Sequence, residues 1–150
     1  MNRIVILDTG VLGMVTNPQA SPEVEMCNRW MESLVRKGAW IAIPEITDYE
    51  VRRELLRAEK TKGLARLDAL KANAVYIPIT TETMLKAAEF WATARKQGKP
   101  TADDKALDGD VILAAQAFLL SERGYETVIA TTNVKHLSLF VDARIWSKVT

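Results

Sequence analysis

Arg3-Ile4-Val5-Ile6-Leu7-Asp8-Thr9-Gly10 is the stretch on which the reading of this chain turns. Its β-branched and leucine run reads as a short buried strand. The run stops at Asp-Thr-Gly, so Asp8 falls at the strand's C-terminal tip, where the chain is expected to open into a loop. Downstream, Trp30, Met31, Leu34 and Val35 recur at helical spacing within Glu23 to Lys37, with Gly38 as the stop.

Trp40 to Ile43 is a second apolar run, closed by Pro44. Thr47-Asp48-Tyr49-Glu50 has the Thr-x-x-Glu form of a capping box, which predicts a helix from there to about Lys60 with Glu50 in its first turn. A further helix is expected from about Gly63 to Ala72 and a third strand from Ala74 to Ile79. Thr80-Thr81 then caps a helix reaching Gln97, ended by Gly98-Lys99-Pro100. Thr101 to Gly109 reads as an acidic, small-residue loop, and Asp110 opens an apolar helix that closes on Gly124. Thr127 to Thr131 is the fourth strand, Thr132-Asn133 a turn, and Ala143 to Trp146 a last strand.

Strands separated by helices make βα units around a parallel sheet with helices on both faces. At 150 residues the expectation is one α/β domain spanning 1–150, with a mostly parallel sheet of four to five strands. Apolar residues make up 48% and charged residues 26%, which is globular composition. A formal net charge of +1 means that any nucleic-acid contact must come from local patches. The basic residues at 52, 53, 57, 60, 62 and 66, and at 95, 96 and 99, offer such patches, although interspersed Glu54 and Glu59 suit an ordinary wet helix face equally well. Cys27 is the only cysteine, so no internal disulfide forms and a reducing, cytoplasmic setting is expected. No apolar run approaches the length of a membrane span, and no membrane association is expected.

In parallel α/β sheets ligands bind beyond the carboxyl ends of the strands. Asp8 and Asn133 at strand tips, with Glu50 and Asp110 near helix starts, would converge at that edge. Carboxylates without His or Cys are hard oxygen donors that suit Mg²⁺ or Mn²⁺. Such a cation offsets their repulsion, polarises phosphoryl oxygen and generates hydroxide from water, which is phosphodiester hydrolysis.

Each residue also has a plainer explanation. Asp8 suits a cap of the following turn, Glu50 a capping box, and Asp110 the dipole of its helix. Asp108 competes with Asp110 for capping and coordination alike, while Asp103 and Asp104 belong to a solvated loop. Asn133 fits a turn and Thr131 a strand end. His136 lacks any accompanying Ser or Cys motif and is read as packing. The Gly10 to Gly13 region has neither the P-loop lysine nor the dinucleotide fingerprint, so no nucleotide cofactor is indicated.

Taken together, Ile6-Leu7-Asp8-Thr9-Gly10-Val11-Leu12, Ile46-Thr47 with Glu50, Asp110-Val111-Ile112-Leu113-Ala114-Ala115-Gln116-Ala117, and Ile129-Ala130-Thr131-Thr132-Asn133 resemble the PIN-domain family in order and spacing. The resemblance runs from Arg3 to about Phe140 and is strongest toward the toxin ribonucleases of VapBC-type toxin–antitoxin pairs. It implies a Rossmann-like sheet, a Mg²⁺ or Mn²⁺ site made by Asp8, Glu50 and Asp110, and endonucleolytic cleavage of RNA. Asn133 falls on the family's fourth acidic position, and Thr9, Thr131 and Asp108 become supporting residues. The resemblance also implies a homodimer and a small antitoxin partner, for which the helix Glu23 to Lys37 and the region of Trp30 and Trp40 are candidate surfaces. The rival readings are a PIN nuclease of RNA processing and a PIN-fold module that binds without cutting.

Overall fold

Strands buried on both faces explain the architecture. The computed structural model describes residues 2–97 and 104–150. Its strands are β1 (Ile4–Leu7), β2 (Trp40–Pro44), β3 (Val75–Ile77), β4 (Thr127–Thr131) and β5 (Ala143–Ile145), in the order β3-β2-β1-β4-β5. All are parallel, with Val5 opposite both Ile41 and Val128. Central β1 is buried at every position, as a parallel strand covered on both faces must be.

Val5, Leu7, Ile41, Ile43, Val128 and Ala130 face one layer of helices. That layer comprises α1 (Thr9–Thr16), α2 (Pro22–Arg36), α3 (Glu45–Arg57) and α4 (Thr61–Asn73). Ile4, Ile6, Ala42, Ile77 and Ile129 point the other way, onto Leu113, Ala114 and Ala117 of α6 (Asp104–Glu122). Outside α6 lies α5 (Thr81–Lys96), packed through Ala87 and Ala94 against Leu107, Val111 and Ala115. Each fully buried Leu or Ile contributes roughly 1.5–3 kcal/mol. The chain end is pinned by Trp30, whose Nε1 donates to the Val149 carbonyl at 2.7 Å and whose ring meets Trp146 edge-on at 5.5 Å.

Three expectations require correction. The chain after Asp8 is helix α1 rather than a loop: Gly10, Gly13 and its β-branched residues are weak helix formers, but Val11, Leu12 and Val15 gain buried contacts that override propensity. The helix carrying Glu50 begins at Glu45, after Pro44, so Glu50 lies in its second turn and makes no capping box with Thr47. Thr47 Oγ1 donates instead to the Pro44 carbonyl at 3.0 Å. Residues 104–109 are helical, and Asp110 lies within α6 rather than at its start. Leu107, fully buried four residues before Val111, supplies the core anchor. The stop expected at Gly98-Lys99-Pro100, the start of the acidic loop and Asp103 lie outside the described residues.

The remaining elements sit close to their expected bounds. Thr80 caps α5 through a reciprocal arrangement with Thr83. Among the described residues, no helix is long and apolar enough to cross a membrane.

Candidate active site

Asp8 follows the last residue of β1, and its backbone N–H still bonds the neighbouring strand at Ala130. Because the ladder ends there, the side chain is free to serve two partners. Oδ1 accepts the Thr9 backbone N–H at 2.7 Å, capping α1, and Oδ2 accepts Thr131 Oγ1 at 2.5 Å. Burial nevertheless raises its pKa above the ordinary aspartate value, although both hydrogen bonds favour the ionised form.

Glu50 approaches from α3, and its Oε1 accepts Thr9 Oγ1 at 2.8 Å. One short segment, Asp8-Thr9, therefore supplies one carboxylate and orients another. Asp110 comes from α6. Burial first, then the negative charges of Asp8 and Glu50, push its carboxyl up to about 7. That repulsion shows that the three acids, distant in sequence, share one electrostatic environment at the carboxyl edge of the sheet.

The nearby basic side chain is Arg53, 3.9 Å from Glu50 Oε2 and largely exposed, so its pairing is solvent-screened. Among the described residues, no group of three or more His, Cys, Asp or Glu is drawn together as a ready-made metal cage. The chemistry of the three acids fits a hard divalent cation: the donors are all oxygen, and a cation would offset the burial and the repulsion that together raise the Asp110 carboxyl.

Other candidates are placed differently. Thr131 joins the centre through Asp8 and also accepts the Asn133 backbone N–H at 3.1 Å. Asn133 itself is exposed, with Oδ1 taking the Lys135 N–H at 3.1 Å, so its amide oxygen closes a turn. Asp108 is exposed and lines an apolar groove of about 400 Å³ with Met84, Trp91 and Ile112. The structure does not bring it to the acids, because two residues along a helix turn a side chain by roughly 200°. His136 begins a 3-10 turn over Leu137–Leu139.

The first basic cluster is largely committed to structure. Arg52 bonds Asp48 at 2.9 Å and Asp68 at 2.8 Å, Arg57 pairs with Glu54, and Arg66 donates to the Asn17 carbonyl. Trp30 belongs to the core, while Trp40 is exposed beside Val35, Leu70 and Val75 in a second groove of about 550 Å³.

Several important side chains escaped sequence reasoning. Gln116 is buried inside α6, where Nε2 donates to the Ile77 carbonyl at 2.6 Å and Oε1 accepts the Ile46 N–H at 3.5 Å. It ties α6 to the end of β3 and to the first turn of α3, the helix that carries Glu50. Its signal was present, as an isolated amide in an otherwise apolar helix. Buried Asp48 receives Arg52, Tyr76 and Lys71, joining α3 to α4 and β3. Glu45 accepts the Ile79 N–H at 2.8 Å. Neither carboxylate had a pattern separating it from a surface acid.

The chain matches no protein-family model and no curated protein sequence. Solved structures do share its fold. VapBC2 from Rickettsia felis, bound to a DNA fragment from its promoter, aligns with TM-score 0.70 and 16% identity over 94% of this chain and 97% of that one. VapBC-1 from nontypeable Haemophilus influenzae aligns with TM-score 0.70 and 17% identity, covering 97% and 99%. DNA-bound VapBC from Salmonella typhimurium gives TM-score 0.65 and 18% identity, again over 97% and 99%. The chain shares the fold of these structures, and its all-parallel sheet with helices on both faces is the Rossmann-like arrangement expected from the sequence.

Proposed function

We propose that this chain, whose fold is VapC-like, is a metal-dependent endoribonuclease and the toxin of a toxin–antitoxin pair. The observation that carries the activity is the convergence of Asp8, Glu50 and Asp110, where burial first and then the charges of the other two raise Asp110 to about 7. Such an arrangement is costly for stability and is characteristic of a site tuned for a charged ligand. The shared fold with VapBC structures supports the toxin assignment and an antitoxin partner.

A Mg²⁺ or Mn²⁺ ion held by Asp8, Glu50 and Asp110 would supply Lewis acidity toward the phosphoryl group and hydroxide at neutral pH. The chain's own contribution is orientation and proton management. Thr131 and the Thr9 N–H fix both oxygens of Asp8, and Thr9 Oγ1 fixes Glu50. Asp110 holds its proton at acidic pH, and would have to give it up to serve as a cation ligand. Asn133 contributes through its backbone contact to Thr131, while its amide oxygen takes the Lys135 N–H. A homodimer and a cytoplasmic location belong to the same reading.

The test is cleavage of a mixed RNA pool by purified protein with Mn²⁺ or Mg²⁺, set against EDTA and against folded Asp8→Ala and Asp110→Ala proteins. Cutting that needs metal and disappears in both variants is the expected result. Persistence in either folded variant would refute the assignment, and an inactive wild type that still binds RNA would identify a binding module.

A further inference from the structure

Gly109 stands immediately before Asp110, inside α6. Its backbone has no need of glycine, since the positive-φ glycines among the described residues are Gly38 and Gly124. Within a helix glycine is unfavourable relative to alanine, so its presence calls for another reason. Space supplies one. A Cβ at position 109 would lie 3.0 Å from Glu50 Oε2, 3.5 Å from Cδ and 3.6 Å from Oε1, meeting the whole carboxylate head.

Glu50 is flexible in principle, but its other side is already held. Oε1 takes the Thr9 hydroxyl at 2.8 Å, and Thr9 is fixed in the first turn of α1. The carboxylate therefore sits between the α1 hydroxyl and the bare backbone of α6. A methyl group at position 109 would press on that carboxylate, which would have to give by a few tenths of an ångström from its present position. Ligand distances at a metal tolerate only about 0.2 Å, so a displacement of that size matters to binding while leaving the fold intact.

We propose that Gly109 is a positioning residue for Glu50: its missing side chain sets how closely that carboxylate approaches α6 and hence the geometry of the cation site. The proposal rests on the reading of Asp8, Glu50 and Asp110 as cation ligands. Gly63 provides the control, because its added Cβ would meet the apolar Leu55 side chain at 2.9 Å, disturbing packing between α3 and α4 without touching the acids.

The experiment is a Mn²⁺ titration of the metal-free protein, followed by calorimetry or by the loss of the free-ion electron paramagnetic resonance signal, with Tm measured alongside. Gly109→Ala should weaken Mn²⁺ binding at least tenfold with Tm no lower than wild type, in line with the roughly 10–100-fold cost of disturbing groups that orient metal ligands. Gly63→Ala should lower Tm and leave Mn²⁺ affinity within about twofold. In a Glu50→Asp background, titrated over a higher Mn²⁺ range, the retracted carboxylate no longer meets the methyl group, and Gly109→Ala should change affinity less than about twofold. Unchanged affinity in Gly109→Ala overturns the inference, as does an equal loss in the Glu50→Asp background. Absence of Mn²⁺ binding by the wild type would instead overturn the underlying site assignment, and this inference with it.

Discussion

Replacing Asp110 by Asn should stabilise the metal-free protein at alkaline pH and abolish its response to metal. The folded-state pKa of about 7 lies above the ordinary value of 3.8, so the native state holds a proton that the unfolded chain has released. Stability associated with that proton is complete below about pH 4 and is lost as pH rises through 7. At about 1.4 kcal/mol for each pH unit between the two values, the loss is a little over ~4 kcal/mol; solvent at this half-buried side chain brings the expected range to ~2–4 kcal/mol. Asparagine keeps the shape and carries no charge. In EDTA, thermal unfolding followed by circular dichroism should show similar midpoints for the two proteins at pH 4. At pH 8 the variant should melt about 5–10 °C higher. Adding Mn²⁺ at pH 8 should raise the wild-type midpoint and leave the variant unmoved. Equal midpoints at pH 8 in EDTA would refute the claim that Asp110 sits in a repulsive, desolvated environment.

Thr131→Val removes the 2.5 Å hydrogen bond to Asp8, so the Asp8 pKa should rise further and the acidic limb of any metal-dependent cleavage profile should move to higher pH; a profile displaced the other way, or not at all, counts against the role given to Thr131. Gln116→Leu leaves the Ile77 carbonyl and Ile46 N–H without their buried partner and should cost about 2–3 kcal/mol in denaturant unfolding. Gly13→Ala, whose added methyl group meets nothing within 4 Å on α1, should stabilise by roughly 0.5–1 kcal/mol in the same measurement.

Burial pattern made much of the fold legible. The unbroken apolar run at Ile4–Leu7, its echoes at β2 and β4, and the helical periodicity between them define parallel βα units, because a strand covered on both faces has no polar side to interrupt it. Where local propensity and tertiary packing disagreed, propensity misled. The glycine-containing segment after Asp8 is helical because Val11, Leu12 and Val15 are buried there, and residues 104–109 join α6 with Leu107 as its core anchor. Glu50 offered a cap motif that the structure does not use, since the helix had already begun at Glu45.

The identities of Asp8, Glu50 and Asp110 as candidate residues came from sequence alone, through residue type, spacing and resemblance. Their relationship did not. Thr9 reaching Glu50, Thr131 reaching Asp8, Asn133 closing its own turn and Asp108 pointing into a separate groove are all set by strand register and helix rotation. The raised pKa of Asp110 is likewise a tertiary property, because desolvation and repulsion depend on what surrounds a carboxyl in space. Linear order specifies which acids the chain possesses. Only the packing of α1, α3 and α6 at one edge of the sheet makes them repel one another, leaves room at Gly109 for Glu50, and puts three ordinary acidic residues in one electrostatic environment.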